Sequence, residues 1–200
     1  VEHLHNKVKT ILSRISVSPG DLVIDIGSND STLLQAYSRD LVLVGIDPTG
    51  GRFGKYYPDH VQLIPDFFSS HLVDTRFGGK KARIITSIAM FYDLEVPLDF
   101  VEQIYHTLSD DGVWVFEQSY LPMMLKTNSY DTICHEHLEY YRLKQIKWIM
   151  DKVGFKIIDI ESNMVNGGSF CVTVAKQNSH YPEAVSIVDE LLDEEINKVL

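Results

Sequence analysis

The sequence of 200 residues contains only two cysteines, Cys134 and Cys171. They are far apart and form no C-x-x-C pair, so they offer neither a disulfide framework nor a cysteine-based zinc site. No signal-peptide pattern is recognisable in the sequence. We therefore expect two reduced thiols in a cytoplasmic protein.

Basic residues are also scarce, because 18 lysines and arginines stand against 28 acidic residues and give a net charge of −10. Nucleic-acid binding needs a basic face, which this composition disfavours. No apolar run approaches the roughly 20 residues of a membrane-spanning helix. Neither nucleic acid nor a membrane is an expected partner, and the sequence does not indicate an oligomeric state. The 44% hydrophobic content suffices for one sizeable globular domain.

Apolar runs and helical periodicities alternate along the chain. Strands are predicted at about 22–26, 42–46, 61–64, 82–87, 113–117, 156–160 and 170–175. Helices are predicted at about 3–15, 31–38, 97–108 and 143–153, and the stretch 118–141 is predicted to be irregular. The last two strands have no helix between them. This order predicts a Rossmann-like α/β fold, with a mainly parallel seven-stranded sheet, an antiparallel edge strand and helices on both faces.

The two ends of the sequence bear on its domain organisation. The sequence starts with Val1 rather than methionine, and the helical pattern after Pro182 runs to Leu200 without a cap. We assign residues 1–180 to a cofactor-binding domain. Residues 181–200 are interpreted as a helix that leads to a C-terminal domain outside this sequence.

The most informative segment is the loop Asp25-Ile-Gly-Ser-Asn-Asp30, between an apolar strand and a predicted helix. Gly27 allows the backbone to approach a ligand closely, because it has no Cβ. Asp47 ends the second strand, where an acid can accept hydrogen bonds from ribose hydroxyls. Ligands of parallel sheets bind at the carboxyl ends of the strands. The candidate cofactor-binding residues are Asp25, Gly27, Ser28, Asn29, Asp47, Asp66, Phe67 and Ser87.

The charges of this loop favour one cofactor over another. A dinucleotide fold requires G-x-G-x-x-G and a helix N-terminus free for the pyrophosphate, whereas this loop has one glycine and the carboxylates of Asp25 and Asp30. Carboxylates repel a pyrophosphate but attract the ammonium and sulfonium groups of S-adenosylmethionine. S-Adenosylmethionine is therefore the expected cofactor, and NAD or a plain strand–helix turn without ligand remain the alternatives.

These residues together resemble the class I S-adenosylmethionine-dependent methyltransferases over about residues 20–176. The resemblance implies that Gly27 and Ser28 line the methionine moiety and that Asp47 holds the ribose. It also implies that Asp66 faces the adenine amine and that Phe67 packs on the adenine ring. Ser31 departs from the glycine that is frequent at that position of the family loop.

A narrower resemblance rests on three segments, 26–30, 130–141 and 166–169, which contain Ile-Gly-Ser-Asn-Asp, Cys-His-Glu-His-Leu-Glu-Tyr-Tyr and Asn-Gly-Gly-Ser. They look like the sugar C-methyltransferases of deoxysugar-nucleotide metabolism, although many relatives have tyrosine in place of Cys134. The resemblance implies a small-molecule substrate, a nucleotide-linked keto-deoxysugar, with S-adenosylhomocysteine as the second product. It implies His137 as the base, Glu136 as its orienting group, and His135 and Tyr140 as nearby donors.

A histidine base suits carbon methylation, because the proton next to a ketone is acidified and histidine titrates near neutrality. Other interpretations remain open. His135 and His137 could ligate a metal with Glu139 or Cys134, although we assign no metal site, and either histidine could be structural. An O- or N-methyltransferase, a non-catalytic module of this fold and an NAD(P)-dependent oxidoreductase are the competing functions.

Overall fold

The computed structural model describes residues 1–130 and 132–198. Asp131, which belongs to the histidine motif, and residues 199–200 at the end of the last predicted helix lie outside the described residues. No helix in the described ranges combines the length and the apolar character that crossing a membrane requires.

Seven strands form one sheet in the order β3-β2-β1-β4-β5-β7-β6. Strands β1 to β5 are parallel, and β7 is antiparallel to both of its neighbours, β5 and the outermost strand β6. The predicted fold class, a mainly parallel seven-stranded sheet with an antiparallel strand at one edge, is therefore confirmed. The strands are β1 (Leu22–Ile26), β2 (Val42–Ile46), β3 (Val61–Ile64), β4 (Ala82–Ile88), β5 (Leu108–Ser119), β6 (Phe155–Asn163) and β7 (Ser169–Lys176).

Helices cover both faces of the sheet. Apolar side chains of α3, α4, α6 and α7 pack on one face, against residues such as Trp114 and Phe116 of β5. Helix α1 and the buried residues Leu33, Leu34 and Tyr37 pack on the opposite face. The helices are α1 (Glu2–Arg14), α2 (Gly50–Phe53), α3 (Ser70–Phe77), α4 (Pro97–Thr107), α5 (Leu121–Thr127), α6 (Leu143–Val153) and α7 (Val185–Lys198).

The helix predicted at 31–38 is absent, and this prediction was wrong. The chain forms a single 3-10 turn at Leu34–Ala36. Two residues just before it, Asn29 and Ser31, have positive φ angles of 48° and 63°, which no regular right-handed helix permits. The side chain of Asp30 accepts a hydrogen bond from the backbone N–H of Thr32 at 3.1 Å, which favours the turn further.

Three helices were missed, namely the single turn α2 after β2 and the longer helices α3 and α5. Helix α3 begins after Ser69, whose Oγ accepts a hydrogen bond from the Leu72 N–H at 3.1 Å, and ends at Gly78 in the left-handed conformation. Both residues are ordinary capping signals that the sequence displays. Helix α5 lies inside the stretch that was predicted to be irregular, and it ends at Asn128 with a φ of 52°.

The parallel register gathers the polar residues of the predicted site. Asp25 of β1 is the register partner of Gly45 of β2 and of Thr86 of β4. The segments that follow β1, β2 and β4 therefore leave the sheet at the same place, the edge formed by the carboxyl ends of these strands. Ligands of open parallel sheets bind at this carboxyl edge.

Candidate active site

A cleft of about 310 Å³ opens at this edge, beside the ends of β1 and β2. Its walls are mainly apolar, with two carboxylates, Asp47 and Asp93, among them. A cavity of this size and character is typical of small-molecule sites. The lining residues are Ile26, Gly27, Ile46, Asp47, Pro48, Phe67, Phe68, Met90, Asp93, Leu94 and Phe100.

Gly27 forms part of the cleft wall, with a φ of 73° that an L side chain rarely adopts. A Cβ at this position would lie 3.4 Å from the Cγ of Met90, so the glycine keeps the cleft open beside the methionine. The next residue, Ser28, is buried, and its Oγ lies 2.6 Å from the hydroxyl of Tyr57. This hydrogen bond fixes the loop against the segment that follows β2.

Asp47 is buried and holds the two loops together. Its Oδ2 accepts a hydrogen bond from the Asn29 N–H at 2.8 Å, and its Oδ1 accepts from the N–H and the Oγ1 of Thr49 at 2.7 and 2.5 Å. A carboxylate has about four acceptor positions. Because the known contacts use three of them, Asp47 retains capacity for a ligand hydroxyl at the cleft.

Asp25 lies behind the cleft, fully inside the sheet, and accepts a hydrogen bond of 2.5 Å from Thr86 Oγ1. Burial raises the pKa of Asp25 to about 7, the Thr86 hydrogen bond opposes this rise, and the nearby Asp47 carboxylate adds to it. A carboxyl with a pKa near neutrality responds to any cation that binds next to it. Asp25 can therefore interact with a ligand through its charge, although it does not line the cleft.

The other predicted cofactor residues fall into two groups. Phe67 is 75% exposed at the rim of the cleft, and Asp66 is exposed beside it, where it accepts a hydrogen bond from the Phe67 N–H at 2.7 Å. Ser87 is completely buried, and its Oγ accepts a hydrogen bond from Trp114 Nε1 at 2.9 Å. The structure thus directs Ser87 towards the core and does not bring its hydroxyl to the cleft.

The segment that contains the two histidines, residues 132–141, is called the histidine segment and lies next to the wall of the cleft. The rings of His137 and Tyr92 are 4.1 Å apart between centroids. The backbone N–H groups of Leu138 and Glu139 donate to the Tyr92 carbonyl at 3.0 and 3.1 Å. Tyr92 belongs to the 3-10 turn Phe91–Asp93 that follows β4. The sequence did not indicate this contact between Tyr92 and His137.

Asp93 is the site residue that the sequence analysis missed. It lines the cleft and is close enough to His137 and Glu136 to interact with both electrostatically. Burial raises the pKa of Asp93, the His137 charge opposes the rise, and the Glu136 carboxylate adds to it. Asp93 therefore connects the cleft with the predicted base, and the only signal in the sequence was its position after a strand.

The remaining predicted catalytic residues are less enclosed. His135 and Glu136 are exposed, as is Cys134, whereas the Tyr140 hydroxyl donates to the Thr132 carbonyl at 3.4 Å within the same segment. Among the described residues, no group of three or more histidine, cysteine, aspartate or glutamate side chains is arranged to hold a metal ion. The structure thus brings His137 and Glu136 to Asp93, while His135 faces solvent.

Comparison with known proteins identifies the family. The sequence matches a family described as methyltransferase domain over residues 1–160. The chain belongs to this family of methyltransferase domains. The expected enzyme class, an S-adenosylmethionine-dependent methyltransferase, and its cofactor agree with this membership.

The C-methyltransferase NovU of Streptomyces niveus is 29% identical to this methyltransferase over 199 residues, which are 98% of this chain and 47% of NovU. The chain thus spans about half the length of that relative. A putative methyltransferase in complex with the Trm112 activator of Haloferax volcanii superposes with a TM-score of 0.68 at 16% identity, covering 88% of this chain and 90% of that one. The plantazolicin methyltransferase BpumL, in complex with a triazolic desmethylPZN analog and S-adenosylhomocysteine, has a TM-score of 0.66 at 14% identity, covering 88% of this chain and 84% of that one.

Asp25 should make stability depend on pH. Its pKa rises from 3.8 in the unfolded chain to about 7 in the fold, so the folded state holds the proton more tightly and loses stability as pH rises from about 4 to 7. The expected loss is on the order of 4 kcal/mol, since each pKa unit corresponds to 1.36 kcal/mol. Urea unfolding of wild type and Asp25→Asn across this range measures it. A difference between the two proteins that stays constant with pH would contradict the assignment.

Proposed function

We propose that this methyltransferase binds S-adenosylmethionine in the cleft beside β1 and β2 and methylates a carbon of a nucleotide-linked keto-deoxysugar, with His137 as the base. One observation carries the proposal. The ring of His137 lies on Tyr92, and the next residue, Asp93, lines the cleft. The predicted base and the predicted cofactor site, which are about 110 residues apart in the sequence, are therefore neighbours in the fold.

The residues of the cleft fit the cofactor. Asp47 has acceptor capacity for a ribose hydroxyl, and the exposed Phe67 ring at the rim is available to stack on an adenine. Gly27 lines the cleft without a side chain, which suits the methionine moiety, and the nearby Asp25 and Asp47 charges favour its cationic groups. No basic side chain is among the residues that line the cleft, which disfavours a pyrophosphate and hence a dinucleotide.

In the proposed reaction, the protein itself carries out one proton transfer, through His137. When bound, S-adenosylmethionine supplies an electrophilic methyl group. A neutral imidazole nitrogen of His137 takes the proton from the carbon next to the substrate ketone, and the C–H electron pair moves into an enolate. With S-adenosylmethionine bound, the enolate carbon would form the new C–C bond as the S–CH₃ bond breaks. S-Adenosylhomocysteine would be released, and His137 would keep the proton as an imidazolium. The Asp93 carboxylate stabilises that imidazolium, since its charge interacts with that of His137.

The sugar nucleotide is supported by the histidine motif and by the similarity to a C-methyltransferase. A diphosphate also needs cations. Arg142 lines a second cavity, of about 360 Å³, together with Lys144, Trp148 and Glu139. Trp148 is 60% exposed, so its ring can stack on a base. Arg52, Lys55, Lys126 and Arg142 are the candidate cations for the diphosphate. We favour Arg142, because its cavity adjoins the histidine segment through Glu139.

Removing the negative charge of Asp47 should weaken cofactor binding. We expect Asp47→Asn to raise the dissociation constant of S-adenosylhomocysteine about tenfold or more, because one charge-assisted hydrogen bond to the ribose is lost. Titration calorimetry measures the constant. Asp40→Asn is the matched control, since Asp40 is exposed and precedes β2 whereas Asp47 follows it. Equal affinities of the two variants for S-adenosylhomocysteine would show that Asp47 does not bind the cofactor. Binding of NADH by the wild type would contradict the assignment of S-adenosylmethionine as the cofactor.

Replacing His137 should abolish carbon methylation but leave the cofactor bound. We expect His137→Gln to slow methyl transfer to a nucleoside-diphosphate 4-keto-6-deoxyhexose about 10²- to 10⁴-fold, the usual contribution of a general base. It should also abolish enzyme-catalysed deuterium exchange at the carbon next to the ketone, which mass spectrometry detects. His106→Gln, which replaces an exposed histidine in the last turn of α4, is the control and should retain both activities. Methylation that survives in His137→Gln would favour an O- or N-methyltransferase instead.

Replacing Arg142 should weaken binding of the nucleotide sugar but not binding of the cofactor. We expect Arg142→Gln to raise the KM for the nucleotide sugar about tenfold, because a cation that faces the diphosphate is lost, while the affinity for S-adenosylhomocysteine stays the same. Arg76→Gln, which removes an exposed arginine near the end of α3, is the control. Steady-state kinetics at saturating cofactor measure the change. A normal KM in Arg142→Gln would show that the diphosphate binds elsewhere.

A further inference from the structure

The predicted catalytic residues all lie in one excursion of the chain, residues 121–142, between the end of β5 and the start of α6. The excursion closes at a narrow neck, where the Leu121 N–H donates to the Tyr141 carbonyl at 3.0 Å. Tyr120 precedes the neck on one side and Leu143 follows it on the other. Any group that binds both sides of this neck therefore controls how the histidine segment is held.

Glu195 of α7 is such a group. It is only 3% exposed, although it belongs to an acidic helix whose other carboxylates lie mostly in solvent. Its Oε1 accepts hydrogen bonds from the Tyr120 hydroxyl at 2.8 Å and from the Leu143 N–H at 2.5 Å. Its Oε2 accepts from the Lys144 N–H at 3.2 Å. One carboxylate thus binds the two chain segments that form the neck.

These contacts explain how a carboxylate can be buried here. The N–H groups of Leu143 and Lys144 belong to the first turn of α6 and have no partners within the helix. The positive end of the helix dipole favours a negative charge at this place. Three charge-assisted hydrogen bonds offset the cost of burying the charge. Burial together with the hydrogen bond to Glu195 also raises the pKa of Tyr120, so that its hydroxyl stays a donor.

Glu195 reaches the neck only because α7 is docked on the domain. Val188 of α7 is 2% exposed in the core, and Leu191 and Leu192 pack against the same core. Just before the helix, the Ala184 N–H donates to the Ile157 carbonyl of β6 at 2.9 Å. The apolar side of α7 sets the position of the helix, and Glu195 transmits that position to the neck.

We propose that Glu195 is a positioning residue that closes the neck of the excursion and thereby holds His137 against Tyr92, so that docking of α7 controls the order of the catalytic segment. The catalytic meaning of this clamp rests on the proposed function, in which His137 is the base. The clamp itself is a property of the fold and can be tested without a substrate. Displacing α7 would release the histidine segment while the cofactor cleft, whose lining includes no residue of α7, stays intact.

The test compares Glu195→Gln and Tyr120→Phe with Glu190→Gln, a control that removes the same charge from an exposed position of α7. Glutamine keeps the size of the side chain but turns one acceptor into a donor that faces N–H groups. Tyr120→Phe deletes one hydroxyl and removes one of the three hydrogen bonds. This milder change still tests the clamp if Glu195→Gln does not fold. A fluorescent maleimide on Cys134, the exposed cysteine of the segment, reports its mobility, because Cys171 is buried.

We expect hydrogen exchange in residues 132–141 to accelerate about tenfold or more in Glu195→Gln and less in Tyr120→Phe, with lower anisotropy of the Cys134 probe. Exchange in β1, β2 and β4 should stay the same, and the affinity for S-adenosylhomocysteine should change less than twofold. The combined variant should be less than additive, since both changes break the same bond. With the nucleotide sugar, kcat should fall while the KM for S-adenosylmethionine is retained.

Two results would overturn the clamp. One is exchange and anisotropy in the segment equal to those of Glu190→Gln, and the other is an equal acceleration throughout the domain, which would mark Glu195 as merely stabilising. Failure of the proposed function looks different. In that case no variant, including the wild type, would methylate the sugar, but the exchange and anisotropy differences would remain.

Discussion

The parallel register of β1, β2 and β4 is the constraint on which this site depends. It places Asp25 between Gly45 and Thr86, and it brings the segments that follow these strands to one edge of the sheet. A Cβ at position 45 would lie 2.5 Å from both Ser28 Oγ and the Tyr57 hydroxyl, so a side chain there would displace these two groups. Gly45 thus allows the Ser28–Tyr57 hydrogen bond, which fixes the loop after β1.

Electrostatics then determines which ligands the edge accepts. Asp25 and Asp47 are both buried and close enough for their charges to interact. A carboxylate in the cleft wall and a second one behind it are an environment that favours a cation over a phosphate. Asp47 uses three of its about four acceptor positions on Asn29 and Thr49, which keeps the carboxylate in place. Asp47 therefore fixes the loop and also adds negative charge to the cleft wall.

The histidine segment is held from outside rather than by its own secondary structure. Tyr92 binds its end through two backbone hydrogen bonds and a ring contact, and Glu195 fixes the neck from α7. Few buried apolar groups belong to the segment itself, because Ile133 and Leu138 are exposed at 63% and 49%. A segment held in this way can move without disturbing the sheet or the cleft beside β1 and β2.

The sequence by itself determined the strands and the fold class, and it located the loop after β1, because apolar runs, turn glycines and strand-end acids act over a few residues. It could not show that Asn29 and Ser31 would bend the chain away from a helix, nor that Ser87 would turn to Trp114. Only the tertiary structure decided that Asp93 borders the cleft, that His137 lies on Tyr92 and that Glu195 binds the neck. These contacts join residues from 45 to 75 positions apart, and their energies depend on packing that no local pattern encodes.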